Sequence, residues 1–257
     1  MVSSKTSGPQ TIHKAVQLLR SFTITSPEIG TRELAVRVGM PKSTVHRLLV
    51  ALEEEGLVEV NPDTGRYRLG LGLVTLAGTV LRTVDIRRVA LRHMTRLAAR
   101  WNETVDLDVL RGAQIMIIEQ IPGQHLLSTG GMLAALLPAH CTSTGKVLLA
   151  YAGRDYVLGH LPDELPRYTP HTITSRSALL EELEQVRQQG YARSWGEYEE
   201  YVHALGVPIR DRRGEVVAAM SISGLAGRID GEVVPEMIQA LQQAAAEIST
   251  GMGYVDH

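Results

Sequence analysis

Between residues 31 and 69 the chain runs through two helix-length apolar stripes, a glycine stop and a pair of short strands, an order that few folds accept. Ala35, Gly39 and Val45 set the geometry. A small residue at 35 lets two helices cross closely, Gly39 permits a left-handed turn between them, and Val45 plugs the core beneath. Thr31 is placed to cap the first helix, with Glu33 in its first turn and Leu34, Ala35 and Val38 on one face. Pro41 stands where the next helix begins, and Val45, Leu48, Leu49 and Leu52 form its buried stripe up to Gly56. A preceding helix carries Ile12, Ala15, Val16, Leu19 and Phe22 at helical spacing. Residues 57–60 and 66–69 read as strands, joined by the turn residues Asn61-Pro62-Asp63-Thr64-Gly65. Three helices and a hairpin in this order predict a winged helix-turn-helix.

Such a unit reads DNA through the first half of its third helix. Lys42, Ser43, Thr44, His46 and Arg47 lie there, all able to reach phosphates or base edges. Arg47 is the candidate for guanine, while Ser43 and Thr44 suit phosphate. Glu53, Glu54 and Glu55 at the far end would be repelled, which places the contact at the N-terminal half. Arg66 and Arg68 on the wing either touch the backbone or minor groove or form a solvated strand face with Tyr67 turned inward. Charge agrees with a local contact: residues 1–84 hold 10 Lys and Arg against 7 Asp and Glu, the remainder 16 against 21.

At 257 residues the chain has room for a second domain. The sequence predicts boundaries at 1–70 for the DNA-reading unit, 71–100 for a helical linker and 101–257 for the rest. In the linker Leu73, Leu76, Ala77, Val80 and Val84 share a side, and Ile86, Val89, Ala90, Met94 and Leu97 continue past a break near Asp85. That stripe is expected to meet a partner subunit, the alternative being that it packs on its own chain. Beyond it, residues 105–110 alternate with Asp106 and Asp108 opposite the apolar positions, and 115–121, 202–209 and 216–223 read as further strands. Helices are expected over 142–151, 177–189 and 233–250, giving an α+β domain with an antiparallel sheet. No apolar run approaches the roughly 18 residues of a membrane span. With no apolar leader at the N-terminus and a lone Cys141, the expected location is cytoplasmic.

Several segments, in order, resemble the IclR family of bacterial regulators. Arg66-Tyr67-Arg68-Leu69-Gly70 is similar to its wing end, and Leu137-Pro138-Ala139-His140-Cys141-Thr142-Ser143-Thr144-Gly145-Lys146 to a loop and helix start in its effector domain. Gly190, Ser194, Glu197, Ala204-Leu205-Gly206, Ile209 and Asp211 follow its C-terminal signature, from which Arg210 departs because an aromatic residue or His is usual there. Ala218-Ala219-Met220-Ser221-Ile222-Ser223-Gly224 resembles a closing strand. The resemblance implies a GAF-like effector-binding domain and dimers or tetramers on near-palindromic operators. It also implies repression or activation of catabolic operons in answer to small carboxylates or aromatic compounds, with repression the expectation here.

The resemblance further implies a pocket lined by Ser143, Thr144, Gly145, Ser194, Ala204, Ser221 and Ser223. Ser143, Thr144 and Gly145 open a helix whose free N–H groups favour an anion or carbonyl oxygen, and Ser221 and Ser223 share one face of a strand. Met132, Leu133 and Leu136, from a loop rich in small residues, are expected to cover the ligand. Family members often have Asp where Ser194 stands, which tilts the expected ligand towards a carboxylate, amide or aromatic acid derivative.

Enzyme readings fare worse. Cys141 and His140 are adjacent, and adjacent side chains usually point apart. Ser143-Thr144-Gly145-Lys146 lacks the first glycine and the closing Ser or Thr of a phosphate loop. Ser221-Ile222-Ser223-Gly224 lacks the first glycine of a nucleophile elbow, and the histidines have no metal-ligand spacing. No cofactor or metal is expected. The alternative is a ligand-converting enzyme carrying a DNA-binding head.

Overall fold

The computed structural model describes residues 10–23, 25–76, 85–125 and 131–255. The chain divides after Thr83 into two compact units.

The first unit holds α1 (Gln10–Leu19), α2 (Thr31–Arg37), α3 (Lys42–Glu54), β1 (Val58–Val60) and β2 (Tyr67–Leu69). β1 and β2 pair antiparallel, with Val58 opposite Leu69 and Val60 opposite Tyr67. Leu18, Leu34, Val45, Leu49, Val58 and Tyr67 meet in one core. Gly39, at φ +65°, makes the turn between α2 and α3. Two local expectations are corrected. In α1 the buried position is Leu18, while Ile12 and Val16 are exposed, because the face that meets α3 runs through Leu18 and Phe22. Thr31 is the first residue of α2 and not its cap; Gly30 occupies that place, and no side chain bonds the open N–H groups. Residues 72–76 are helical.

The second unit begins with α4 (Asp85–Trp101), followed by β3 (Thr104–Arg111), β4 (Gln114–Ile121), β5 (Leu136–Pro138) and a 3-10 turn (Ala139–Cys141). Then come α5 (Ser143–Ala152), α6 (Arg154–His160), α7 (Arg176–Gln189), β6 (Ala192–Trp195), β7 (Val202–Arg210), β8 (Val216–Leu225) and α8 (Val233–Gly251). Six strands form one antiparallel sheet in the order β5-β4-β3-β8-β7-β6. Helices cover both faces. Val105 and Leu107 of β3 and Met220 and Ile222 of β8 pack against α4 and α8. Ile115 of β4 and Ala219 of β8 join the core of α5, α6 and α7 on the other face. Strand alternation therefore sends Asp106, Asp108, Ser221 and Ser223 towards α5.

The stripe of Ile86, Ala90, Met94 and Leu97 is buried in this core, so this side of α4 packs on its own chain, the alternative reading of the stripe. Its large apolar residues contact the sheet and α8, which were too distant in sequence to be anticipated. Val80 and Val84, placed on the same stripe, lie outside the described residues. The short elements α6 and β6 were not anticipated, since seven and four residues respectively leave little periodicity to read. Among the described residues no helix is long and apolar enough to cross a membrane.

Candidate functional site

The first candidate surface is the start of α3. Pro41 precedes the helix, no acid lies in its first turn, and Lys42, Ser43, His46 and Arg47 are exposed with Thr44 half-buried. They point outward because Val45, Leu49 and Leu52 take the buried side. The amides of Thr44 and Val45 donate to Pro41 O at 3.0 and 3.1 Å, and those before them have no helical carbonyl to reach. Among the described residues neither Lys42 nor Arg47 is in an ion pair. Cationic side chains and a positive helix end thus face solvent together.

The wing arginines are held differently. Arg66 donates from Nη2 to Glu33 Oε2 at 2.8 Å and to Glu28 O at 3.0 Å. Arg68 donates from Nε to Glu59 Oε1 at 2.6 Å, and Glu28 also accepts from Asn61 Nδ2 at 2.7 Å. The contacts to Glu28 and Glu33 clamp the hairpin to α2 and the loop before it, while Arg68 and Glu59 pair across the two wing strands. A phosphate reaching Arg66 or Arg68 would have to compete with carboxylates already in place.

The second candidate is a cavity of about 100 Å³ beside the start of α5. Ser143 and Thr144 from α5, Ser194 from β6, Ala204 from β7, Ser221 and Ser223 from β8 and Met132 all line it, as expected. Three residues expected there do not. Leu133 is exposed. Leu136 pairs with Met116 while Leu137 pairs with Ile115, and alternation turns Leu137 into the cavity and Leu136 out to solvent. Gly145 lies behind the wall: a Cβ there would sit 2.2 Å from Ala139 O, so its role is to let α5 approach the preceding turn.

What the sequence reading missed is acidic. Asp106 and Asp108 line the cavity, both buried, with Gln120 beside them and Glu199 nearer solvent. Gln120 Nε2 donates to Asp106 Oδ1 at 2.6 Å, and Ser223 Oγ donates to Asp106 Oδ2 at 3.3 Å. Gln120 Oε1 accepts from the amides of Gly131 and Met132 at 2.6 and 3.0 Å, which ties the covering loop to Asp106. Thr144 Oγ1 donates to Asp108 Oδ2 at 2.5 Å, while Asp108 Oδ1 is buried with no partner among the described residues. Burial pushes Asp106 up to about 6. Burial, and then the charge of Asp106, raise Asp108 well above the usual carboxylate range. The available signal was the alternation of residues 105–110, which puts both acids on one face; alternation does not say what covers that face, and here helices cover both sides of the sheet.

Beneath the cavity, Lys146 is buried and donates to Glu197 Oε1 at 2.7 Å and Glu182 Oε1 at 3.0 Å. Burial raises Glu197 despite that partner. Burial and the charge of Glu197 push the Cys141 thiol up to about 12, so it is not a thiolate nucleophile near neutral pH. His140, lowered by burial, donates from Nε2 to Pro166 O and does not serve Cys141. Among the described residues no three His, Cys, Asp or Glu are grouped to hold a metal ion.

Residues 11–62 match the IclR helix-turn-helix domain, and residues 78–250 match the C-terminal domain of the bacterial transcriptional regulator IclR. The chain is 35% identical to the HTH-type transcriptional regulator XynR of Escherichia coli, over 95% of this chain and 98% of that protein. It is 39% identical to the regulator KdgR of the same organism, over 90% and 88% of the two chains. Among solved structures, an IclR homolog from Microbacterium hydrocarbonoxydans complexed with 4-hydroxybenzoate superposes with a TM-score of 0.85 at 30% identity, covering 95% of this chain and 99% of that one.

Proposed function

The chain belongs to the IclR family of bacterial transcriptional regulators, and we propose that it represses a catabolic operon and leaves its operator when a small acid enters the cavity of its second unit. The observation that carries this reading is the cavity at the start of α5, apolar in most of its wall with serines, Thr144 and two acids set into it, on a chain whose other unit exposes an unpaired cationic helix start. Lys42, Ser43, Thr44, His46 and Arg47 would meet DNA, with Arg47 reading a base and the others holding phosphate. Arg66 and Arg68 would contribute secondarily, through the ion pairs that hold the wing.

A carboxylate or aromatic acid derivative suits the cavity because α5 directs its first N–H groups there. Burial favours the neutral form of Asp108 above all, which lessens its repulsion of an anion. The 4-hydroxybenzoate complex of the Microbacterium relative supports an aromatic acid as one such ligand. The working species would be a cytoplasmic homodimer or homotetramer, since paired heads read two half-sites about one helical turn, or a multiple of it, apart. Exposed Leu71, Val74 and Leu76 at the end of the first unit supply an apolar surface for that pairing.

Two measurements test the reading. Selection from a random duplex pool should return a near-palindromic site whose affinity falls steeply with salt; binding without sequence preference would overturn it. A thermal-shift screen of small acids and aromatics should then find compounds that release this DNA without being consumed. The double variant Ser221→Ala, Ser223→Ala should lose that response, and a response at unchanged ligand concentration would place the pocket elsewhere.

A further inference from the structure

Gln120 stands directly opposite Asp106 where β4 pairs with β3, and both side chains line the cavity. Both ends of its amide are engaged. Nε2 donates to Asp106 Oδ1 at 2.6 Å, while Oε1 accepts from the backbone amides of Gly131 and Met132 at 2.6 and 3.0 Å. The reversed amide would set its NH2 against two N–H donors and its carbonyl against a carboxylate oxygen, so a single orientation satisfies both sides. Asp106 is held in turn by Ser223, whose hydroxyl donates to Oδ2 at 3.3 Å. A continuous line of hydrogen bonds thus runs from β8 through β3 and β4 to the segment that covers the cavity.

The covering segment turns tightly just after those two amides. Ala135 N–H closes the turn on Met132 O at 2.9 Å, and Ala134 N–H reaches back to Ile117 O at 2.8 Å. Ala134 sits at φ +64°, a left-handed conformation that a residue with a side chain keeps only where its surroundings fix it. Burial does not fix it, since the neighbouring Leu133 is exposed. Gln120 supplies the side-chain anchor: its carbonyl holds the chain immediately before the turn and keeps Met132 in the cavity wall.

We propose that Gln120 is a positioning residue of the effector site, a latch that holds the turn at 131–135 over the cavity and makes that closure depend on how Asp106 and Ser223 are engaged. The proposal rests on reading the cavity as the effector site, although the latch itself is testable with no ligand present. A ligand oxygen that draws Ser223 or Asp106 into a new hydrogen bond moves the carboxylate that Nε2 requires, and the cover responds through Oε1. A proton alone does not release it, because a carboxyl protonated on Oδ2 still presents Oδ1 as an acceptor. Asp108 and Glu199, the other acids on the cavity wall, are common to the natural chain and every variant below.

The test reads backbone hydrogen exchange of the full chain as protection factors, which remove the intrinsic effect of pH. Peroxide oxidation of Met132 is the second readout, with the fully buried Met220 as internal reference. Gln120→Met keeps the length of the side chain and removes its bonds. Protection at Gly131 and Met132 should fall about tenfold or more, with Met132 oxidising faster and β3 and β8 unchanged. Gln120→Glu keeps the acceptor for the two amides but loses the donor, so two carboxyl groups must share a proton at Asp106. Its cover should be latched at about pH 5 and released at about pH 8, where the natural chain changes less than about twofold. The double variant Gln120→Glu, Asp106→Asn turns the bond around, the new amide donating and the new carboxylate accepting, and should restore protection at both pH values. Natural protection in Gln120→Met would overturn the proposal. So would a uniform loss across β3, β4 and β8, which would make Gln120 a residue that only holds the fold, or a double variant no better latched at about pH 8 than Gln120→Glu alone. No ligand enters these measurements, so a failed latch leaves the effector reading standing, and a failed search for the effector leaves the latch standing.

Discussion

Helices α3 and α5 both carry Ser-Thr in their first turn, at Ser43-Thr44 and Ser143-Thr144, yet they present that pair to opposite environments. In α3 Ser43 faces solvent beside Lys42, His46 and Arg47, and only the apolar stripe is buried. In α5 every residue from Ser143 to Ala150 is buried, Lys146 included. Both helices direct unbonded N–H groups and a positive dipole end outward from their first turn. What differs is the surroundings: open water and exposed cationic side chains in one case, a sheet carrying two acids in the other. The same local chemistry thus suits a polyanion at α3 and a small enclosed molecule at α5.

The largest expected break in this comparison comes from the two lysines. Lys146→Met leaves Glu197 buried and unpaired, and should cost about 3–5 kcal/mol of unfolding free energy by urea titration. Lys42→Ala removes a solvated charge and should stay within about 0.5 kcal/mol. A Lys146→Met cost below about 1 kcal/mol would show that Glu197 takes up a proton at little penalty.

Next in size is the pH response of the cavity. Asp106 is raised in the folded chain to about 6, so its folded form holds a proton that its unfolded form has already released. Its contribution to stability is therefore complete at low pH and is lost as pH rises from about 4 through about 6. Asp106→Asn cannot ionise, so relative to the natural chain it should gain stability over that window, by up to about 3 kcal/mol at 1.36 kcal/mol per pH unit. Parallel stability curves for the two proteins between pH 4 and 7 would show that Asp106 reaches water.

The smallest effects lie on the DNA-reading unit and sharpen the contrast between its two cationic groups. Arg47→Ala should weaken operator binding by about 1–3 kcal/mol and relax preference at one position. Lys42→Ala should weaken all sequences alike and reduce the salt slope by about one unit. Arg66→Ala breaks exposed contacts to Glu33 and Glu28, and should cost about 0.2–1 kcal/mol of stability. Anisotropy titrations at several salt concentrations separate the three variants. Unchanged operator affinity in Arg47→Ala would remove that residue from base reading.

Much of the framework was legible before any coordinates. Gly39 and the run Asn61 to Gly65 placed the turns, and the expected helix at 142–151 falls within one residue of Ser143–Ala152. The cavity was legible in part, since Ser221 and Ser223 had to share a face once they stood in a strand. Asp106 and Asp108 share a face by the same rule. Yet alternation says which residues point together, not whether that side is covered. Leu136 and Leu137 show the same limit: both are apolar, and only the pairing of Leu137 with Ile115 decides which turns inward.

By itself the sequence determined the local elements of both units and, through Lys42, His46 and Arg47 at an acid-free helix start, the character of the exposed surface. Those features depend on backbone preference and on spacing within a few residues, so short windows carry them. Tertiary structure alone decided that α4 belongs to the second core, that Arg66 and Arg68 are held by Glu33, Glu28 and Glu59, and that Asp108 is buried with one oxygen unbonded among the described residues. Each of those outcomes depends on which distant segment lies opposite a side chain. Burial and hydrogen-bond partnership are properties of that meeting: β3 would be half-solvated in a two-layer fold, and here α5 crosses its other face and turns two acids into the wall of a cavity.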